Sequence, residues 1–312
     1  MDANPFISVV SPTYQAEKIV PQLVSRIAEE VQHLTNRFEI ILVEDGSKDG
    51  SWNAIEAAAA QHDYVKGVKL SRNFGQHYAI TAGLTLAKGD YVVVIDCDLQ
   101  ENPKYIADLL NKAREGFDVV LTFRRVRRHG FLKNLWARMF FTIFNFLIDN
   151  KEYEASKSVG ALSMLSRKAA NAFISYKEFH RHYLTIVRMI GFKRTFVEIE
   201  HEHRYEGKSS YTFSKLLRHA LDGITSQSEK LLRLAAGVGL FLFLGSLVWT
   251  AAIVYFYFRT GLLNGYASIM GVQLLGTGLI LIFMGIIGLY IGNIFAQVRE
   301  RPLYIVEETI NL

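Results

Sequence analysis

The chain has one cysteine, Cys97, among its 312 residues. A lone thiol excludes an internal disulfide and fits a reducing compartment. Wedged between two aspartates at the end of an apolar run, Cys97 is expected to face the core rather than perform chemistry. The glycine signatures of two large nucleotide-binding classes are also missing. Neither GxGxxG nor GxxxxGK[ST] occurs, so neither a dinucleotide fold nor a P-loop is supported. The chain opens MDANPF and runs directly into an apolar strand, so no secretory leader is expected. Two long stretches lack charge. Leu234 to Phe258 is nearly uninterrupted apolar sequence, and Ile269 to Ala296 is broken clearly only by Gln273, Thr277 and Asn293.

Each stretch exceeds the roughly 20 residues that a helix needs to cross hydrocarbon. Half of all residues are hydrophobic and mean hydropathy is +0.14, unusual for a purely soluble protein. A pair of buried helices is the alternative, and the lengths and missing charges weigh against it. Lys230, Arg233, Arg299 and Arg301 flank the outer ends, whereas the connecting loop Arg259 to Ser268 carries Arg259 alone. The positive-inside rule then places both termini in the cytoplasm, at the cytoplasmic membrane. The expected organisation is a cytoplasmic catalytic domain over 1–230 with juxtamembrane amphipathic helices. A transmembrane hairpin over 231–312 follows, with spans of about 234–258 and 269–296 and a short tail.

The net charge of +5 is modest but uneven. Arg124, Arg125, Arg127, Arg128, Lys133 and Arg138 precede the aromatic stretch MFFTIFNFL, a pattern suited to an anionic membrane surface. Nucleic acid is the competing partner. No nucleic-acid-binding module is present, so none is expected. Tyr211 to Leu234, with Phe213, Leu216, Leu217, Leu221 and Ile224 at helical spacing, reads as a further interfacial helix.

Strand and helix patterns alternate before that. Strands are expected at Phe6–Val10, Phe38–Val43, Val65–Leu70, Tyr91 onward and Asp118–Thr122. Between them lie helical patterns with Ile19, Leu23, Ile27 and Val31 on one face, then Ser51–Gln61, a helix through Leu86, and Pro103–Glu115. This order predicts an α/β fold, a mainly parallel sheet flanked by helices. Three strands end in polar turns, SPTY, EDGSKDGS and DCDLQ, whose convergence at one sheet edge is what a nucleotide pocket requires.

The third of these turns carries the most chemistry. Val92, Val93, Val94 and Ile95 lead into Asp96, Asp98 and Gln100. If the backbone stays extended, those three side chains share one face at the carboxyl edge of a buried strand. Clustered oxygens suit Mg²⁺ or Mn²⁺, hard ions that bridge a diphosphate. A strand running into an acidic surface turn is the other reading of the same residues.

VVSPTYQAE, VEDGSKDGS and LSRNFGQHYAITAGLTLAKGDYVVVIDCDLQ resemble, in this order, the motifs of the family 2 glycosyltransferases. The resemblance covers residues 6 to about 230. It is closest to the membrane-anchored members that move a sugar from a nucleotide donor to a polyprenyl phosphate, the dolichyl-phosphate-mannose and bactoprenol glycosyltransferase type. It implies the GT-A fold. It also implies that Pro12, Tyr14, Glu17 and Asp45 line the nucleoside pocket, with Arg72 beside them, and that Asp96, Asp98 and Gln100 hold the divalent ion. Arg124 takes the place of a phosphate-binding arginine. His203 to Ser210 resembles a loop that closes over donor and acceptor phosphates, with Arg204, Lys208 and Ser209 as its phosphate ligands.

One segment departs from the family. Many relatives read roughly Asp-x-Gly-Asp-Phe-Arg where this chain has Ser158-Val159-Gly160-Ala161-Leu162-Ser163, so Ser158 and Ala161 replace both acids. A phosphate acceptor is already an anion and needs no base, whereas a hydroxyl acceptor would. The histidine pairs 180/182 and 201/203 have a spacing that could suggest zinc. An edge strand with Val197, Ile199, His201 and His203 on one face explains the second pair without metal.

The expected activity is therefore metal-dependent, inverting transfer of a sugar from a UDP-, GDP- or dTDP-sugar to a membrane polyprenyl phosphate, by a chain that could form a homo-oligomer. A transferase acting on a lipid-linked hydroxyl and a non-catalytic nucleotide-sugar-binding membrane partner are the alternatives.

Overall fold

The computed structural model describes residues 4–124, 159–179, 181–200, 230–260 and 265–312. They fall into two compact units: 301–312 joins the residues up to 200 in the first, and 230–260 with 265–300 forms the second. The basic cluster from Arg125 to Arg138, Ser158, His180, and the segment from His201 through the loop and into the interfacial helix lie outside the described residues.

The first unit runs β1 (Ile7–Thr13), α1 (Val20–Gln32), β2 (Phe38–Glu44), α2 (Ser51–Gln61), β3 (Val65–Leu70), α3 (Gln76–Leu86) and β4 (Tyr91–Val94). It continues with α4 (Ile106–Arg114), β5 (Val119–Arg124), β6 (Val159–Ser166), α5 (Arg167–Ser175), α6 (Tyr183–Met189) and β7 (Arg194–Ile199), and closes with β8 (Val306–Ile310). The strands form one sheet in the order β7-β5-β6-β4-β1-β2-β3-β8. β6 runs antiparallel to β4 and β5, and β8 antiparallel to β3, while the other pairings are parallel.

Helices cover both faces because the central strands are apolar on both sides. Ile7, Val9, Ile40, Leu42 and Val93 pack against Leu23, Ile27, Ile55, Ile106 and Leu109 from α1, α2 and α4. Val10, Ile41, Val43, Val92 and Val94 face Ala79, Ile80, Phe173 and Ile186 from α3, α5 and α6. At the amino end of the sheet, Glu39 accepts bonds from Ser8 Oγ and Lys66 Nζ at 2.5 Å and from Lys88 N at 2.7 Å. Burial alone would raise that carboxyl's pKa, but Lys66, Ser8 and the Lys88 N–H outweigh it and hold it below the usual range. Gly89 N donates to Ser8 Oγ at 2.7 Å, so the same cluster sets β4 beside β1.

The second unit holds α7 (Lys230–Thr260) and α8 (Tyr266–Val298). Both apolar stretches are thus helical. Within α8, Gly276–Val298 is long and apolar enough to cross a membrane.

Candidate active site

The site is built where neighbouring strands end at different heights. β4 pairs with β1 only from Ile7 to Val10, whereas β1 continues to Thr13 along β2. Past Val10, β1 therefore has a strand partner on one side alone, and Pro12, which lacks an N–H, is tolerated there. β2 and β3 lie to one side of β1 and β4 to the other. The winding reverses at this point, and such switch points open a crevice outside the carboxyl ends of the strands.

Ile95 N still donates to Val10 O at 3.0 Å, and then the chain turns at Cys97 and Asp98. Leu99 takes φ +56° with its side chain buried in the core, a left-handed conformation that costs a branched residue energy and is held by that packing. Asp98 Oδ1 accepts from Gln100 N at 3.1 Å, closing the turn. The backbone expected to stay extended through Asp96, Asp98 and Gln100 instead turns at Cys97 and Asp98, so the three residues do not share one strand face. Asp96 Oδ1 accepts from Gln76 Nε2, the first residue of α3, at 2.5 Å. Cys97 is half-buried against the core as expected. Burial pushes its thiol up to about 12, against a smaller opposing effect of the Tyr14 N–H, so it is not a nucleophile at neutral pH.

Asp45, just past β2, is buried, and its two carboxylate oxygens accept from Phe74 N at 2.7 Å and Gly75 N at 2.8 Å. Asn73 Nδ2 returns a bond to Asp45 O at 3.0 Å. Desolvation raises this carboxyl's pKa to about 6, against the two N–H bonds; Glu44 adds to the rise and Arg72 opposes it. Asp45 thus holds the β3–α3 loop. Gly46, at φ +64°, admits that approach: a Cβ there would lie 2.2 Å from Asn73 N. Glu44, also buried, accepts from Gly46 N at 3.2 Å and Ser47 N at 2.5 Å.

The β1 loop is fastened to the β2 loop in the same way. Gln15 N donates to Ser47 Oγ at 3.0 Å, Ala16 N to Ser51 Oγ at 2.8 Å, and Gly50 N to Glu17 Oε2 at 3.2 Å. The Ser11 and Thr13 hydroxyls are buried without a hydrogen-bond partner among the described residues. Of the residues expected to bind nucleoside, Pro12 is buried in β1 and Tyr14 is exposed beside it. Glu17 and Asp45 spend carboxylate oxygens on loop backbone, and the Arg72 guanidinium lies 4.0 Å over the Phe74 ring. Arg124 is the last residue of β5, opposite Ile199; Arg204, Lys208 and Ser209 lie outside the described residues.

Glu44 and Gln76 lie within the quoted motifs and Glu101 directly after the last of them, but sequence reasoning singles out none of the three. Glu101 is buried and accepts from Ala161 N at 3.0 Å and Leu162 N at 2.5 Å. Gly160 leaves room for it, since a Cβ there would lie 2.1 Å from Glu101 Oε1. The segment that departs from the family is thus joined to the carboxylate turn. His182 has a local explanation: its ring lies 4.4 Å from that of His77, and Thr185 Oγ1 is 3.2 Å from its Nδ1. Among the described residues no three His, Cys, Asp or Glu side chains gather as a metal cluster.

At the switch point of this α/β sheet the loops after β1, β2, β3 and β4 are fastened to one another, two of them acidic, and they form the candidate site. The glycosyl transferase family 2 profile matches residues 8–173, and the chain belongs to that family, as a glycosyltransferase. An uncharacterized glycosyltransferase, YkcC of Bacillus subtilis, is 33% identical over 98% of this chain and 94% of its own length. The undecaprenyl-phosphate 4-deoxy-4-formamido-L-arabinose transferase of Shewanella sediminis is 33% identical over 98% of this chain and 92% of its own length. Glucosyl-3-phosphoglycerate synthase of Mycobacterium tuberculosis, solved with Mn²⁺ and UDP-glucose, superposes with TM-score 0.50 at 18% identity. That match covers 72% of this chain and 80% of that one, and it shares the fold.

Proposed function

We infer that this glycosyltransferase takes its sugar from a nucleotide-sugar and transfers it, with inversion, to a polyprenyl phosphate at the cytoplasmic face of a membrane. One observation carries the acceptor. The acidic sheet edge and the two long apolar helices occur in one chain, and a relative named for undecaprenyl phosphate is 33% identical to it over 98% of this chain. The donor reading rests on the four fastened loops and on a shared fold whose mycobacterial example holds UDP-glucose.

A divalent ion fits the donor set. Asp96 and Asp98 are hard oxygen ligands on one turn, Gln100 adds an amide, and no third acid is gathered with them among the described residues. Mg²⁺ is characteristically held this way, by one or two carboxylates plus substrate phosphates. When bound, the ion would neutralise charge developing on the departing diphosphate. Pro12, Tyr14 and Arg72 would contact the nucleotide directly, while Asp45 and Glu17 hold the loops around it. Arg124, Arg204, Lys208 and Ser209 would bind phosphate oxygens.

In the reaction, an acceptor phosphate oxygen attacks the anomeric carbon from the face opposite the nucleotide. The new carbon–oxygen bond forms as the old one breaks, and the nucleoside diphosphate leaves with the electron pair. No proton has to be removed, because a phosphate monoester is ionised at neutral pH. This agrees with Ala161 standing where relatives carry an acid. It also agrees with Glu101, whose oxygens accept backbone N–H bonds at that same segment. A hydroxyl acceptor would need a base there.

The test uses membranes containing the full chain, polyprenyl phosphate, Mg²⁺ or Mn²⁺, and a panel of UDP-, GDP- and dTDP-sugars, read as organic-extractable sugar. A mild-acid-labile product that requires metal, and that Asp98→Ala lowers at least a hundredfold, is expected. An acid-stable glycoside would replace the phosphate acceptor with a hydroxyl. No product from any donor would overturn the reading.

A further inference from the structure

After α8 the chain returns to the sheet of the first unit. In the β3–β8 pairing Gly67 lies opposite Ile310, Val68 opposite Thr309, Lys69 opposite Glu308 and Leu70 opposite Val306. Lys69 Nζ is 3.3 Å from Glu307 Oε1 and 3.9 Å from Glu308 Oε2. Beyond the strand, Asn311 Nδ2 donates to Ala59 O at 2.9 Å and to Val65 O at 3.0 Å. At the other end the pairing outruns β3: Ser71 N donates to Ile305 O at 3.0 Å, and Tyr304 packs against the core face that α3, α5 and α6 cover.

Ser71 is where the β3–α3 loop begins. Arg72 follows it, then Asn73, Phe74 and Gly75, which bond Asp45, then Gln76, which bonds Asp96. The connections from Ile305 to the carboxylate turn are contiguous. Three neighbours fix this loop: the β2–α2 turn through Asp45, the carboxylate turn through Gln76, and the C-terminal segment through Ser71.

We propose that the C-terminal segment Tyr304–Ile310 is a positioning element of the donor site: by holding Ser71 it sets the loop that carries Arg72 and seats Asp45, and so sets affinity for the nucleotide-sugar. This rests on the donor reading above. Losing an edge strand leaves main-chain groups that water can satisfy, so the sheet survives. The loop, anchored then only through Asp45 and Gln76, samples arrangements that do not bind. Apparent affinity falls by the fraction of molecules still competent. A strand that merely covers the sheet edge against association would have no such effect.

The experiment compares the full chain with a chain ending at Leu303, with Lys69→Glu, and with the charge-swapped Lys69→Glu/Glu307→Lys/Glu308→Lys. Donor KM, acceptor KM, kcat and the thermal midpoint are measured for each. The truncated chain is expected to show a donor KM raised about five- to tenfold, matching a competent fraction of about 0.1 to 0.2, with kcat at saturating donor and acceptor KM within about twofold. Lys69→Glu raises donor KM by less, and the swap restores it. A lowered midpoint with unchanged donor KM overturns the proposal. If the truncated chain does not fold, a rise in Lys69→Glu that the swap leaves in place overturns it as well. Failure of the full chain to use any nucleotide-sugar sinks the donor reading instead, and this proposal with it.

Discussion

Asp45 carries a carboxylate that is only 3% exposed and yet is not neutralised by a paired cation: Arg72 only offsets the rise that burial causes. Two backbone N–H groups take its oxygens, and the loop they belong to is fixed by them. Its pKa of about 6 has a definite consequence for stability. In the unfolded chain an aspartate ionises near ~3.9. Between there and about 6 the folded protein binds the extra proton, so stability falls as pH rises through that window and is level above it. Asp45→Asn is expected to abolish this slope in thermal midpoints recorded from pH 4 to pH 8. The amide keeps the shape but can accept at one oxygen only, losing a charge-assisted bond of roughly 1.5–3 kcal/mol. Because a desolvated charge disappears with it, the midpoint at pH 8 should change little, while donor KM rises about tenfold or more. A wild-type slope that survives in Asp45→Asn would mean that another group titrates.

α3 joins the two acidic loops, because it starts at Gln76 on Asp96 and follows the loop clamped by Asp45. It can lie close to β1 and β2 because Gly83 presents no side chain: a Cβ there would sit 2.2 Å from Val10 Cγ1 and 3.2 Å from Val43 Cγ2. Gly83→Ala gains about 1 kcal/mol of helix propensity but overpacks the sheet at a cost of roughly 1–3 kcal/mol. Its midpoint should fall, and transfer should drop with it as Gln76 shifts from Asp96; a raised midpoint would show that α3 does not rest on the sheet there. Elements of this kind were largely legible in the sequence. β2 and β3 end within a residue of expectation and β5 runs two residues past it, since apolar β-branched runs bounded by turn residues leave little choice. β1 outlasts its apolar run by Ser11-Pro12-Thr13, because β2 still supports it. β4 stops at Val94, because a buried Leu99 at positive φ pulls the chain into a turn that alternation does not reveal. β8 reads as a charged tail, VEETI, and becomes a strand only by pairing with β3. For the same reason Glu101 was not legible: its carboxylate is satisfied by the backbone of Ala161 and Leu162, about sixty residues away in sequence.

Across the whole chain, a sheet domain with a buried apolar core and two helices of another character share one polypeptide. Phe241 is 75% exposed, Trp249 67%, Phe258 83% and Val298 72%, and such side chains appear along both α7 and α8. Burying a residue of this type is worth about 1.5–3 kcal/mol, and exposed apolar surface on this scale marks contact with something apolar. The helices are 31 and 33 residues long, more than the hydrocarbon core requires. Lipid is the covering that a lipid-phosphate acceptor would share. The full chain should therefore stay in the membrane pellet through extraction with alkaline carbonate or high salt and be released only by detergent. Electrostatic attachment through the basic residues would fail in high salt, because screening at 1 M reduces the Debye length to about 3 Å. Release by carbonate alone would mean that α7 and α8 are covered by protein rather than lipid, and the acceptor would then have to be presented by a partner.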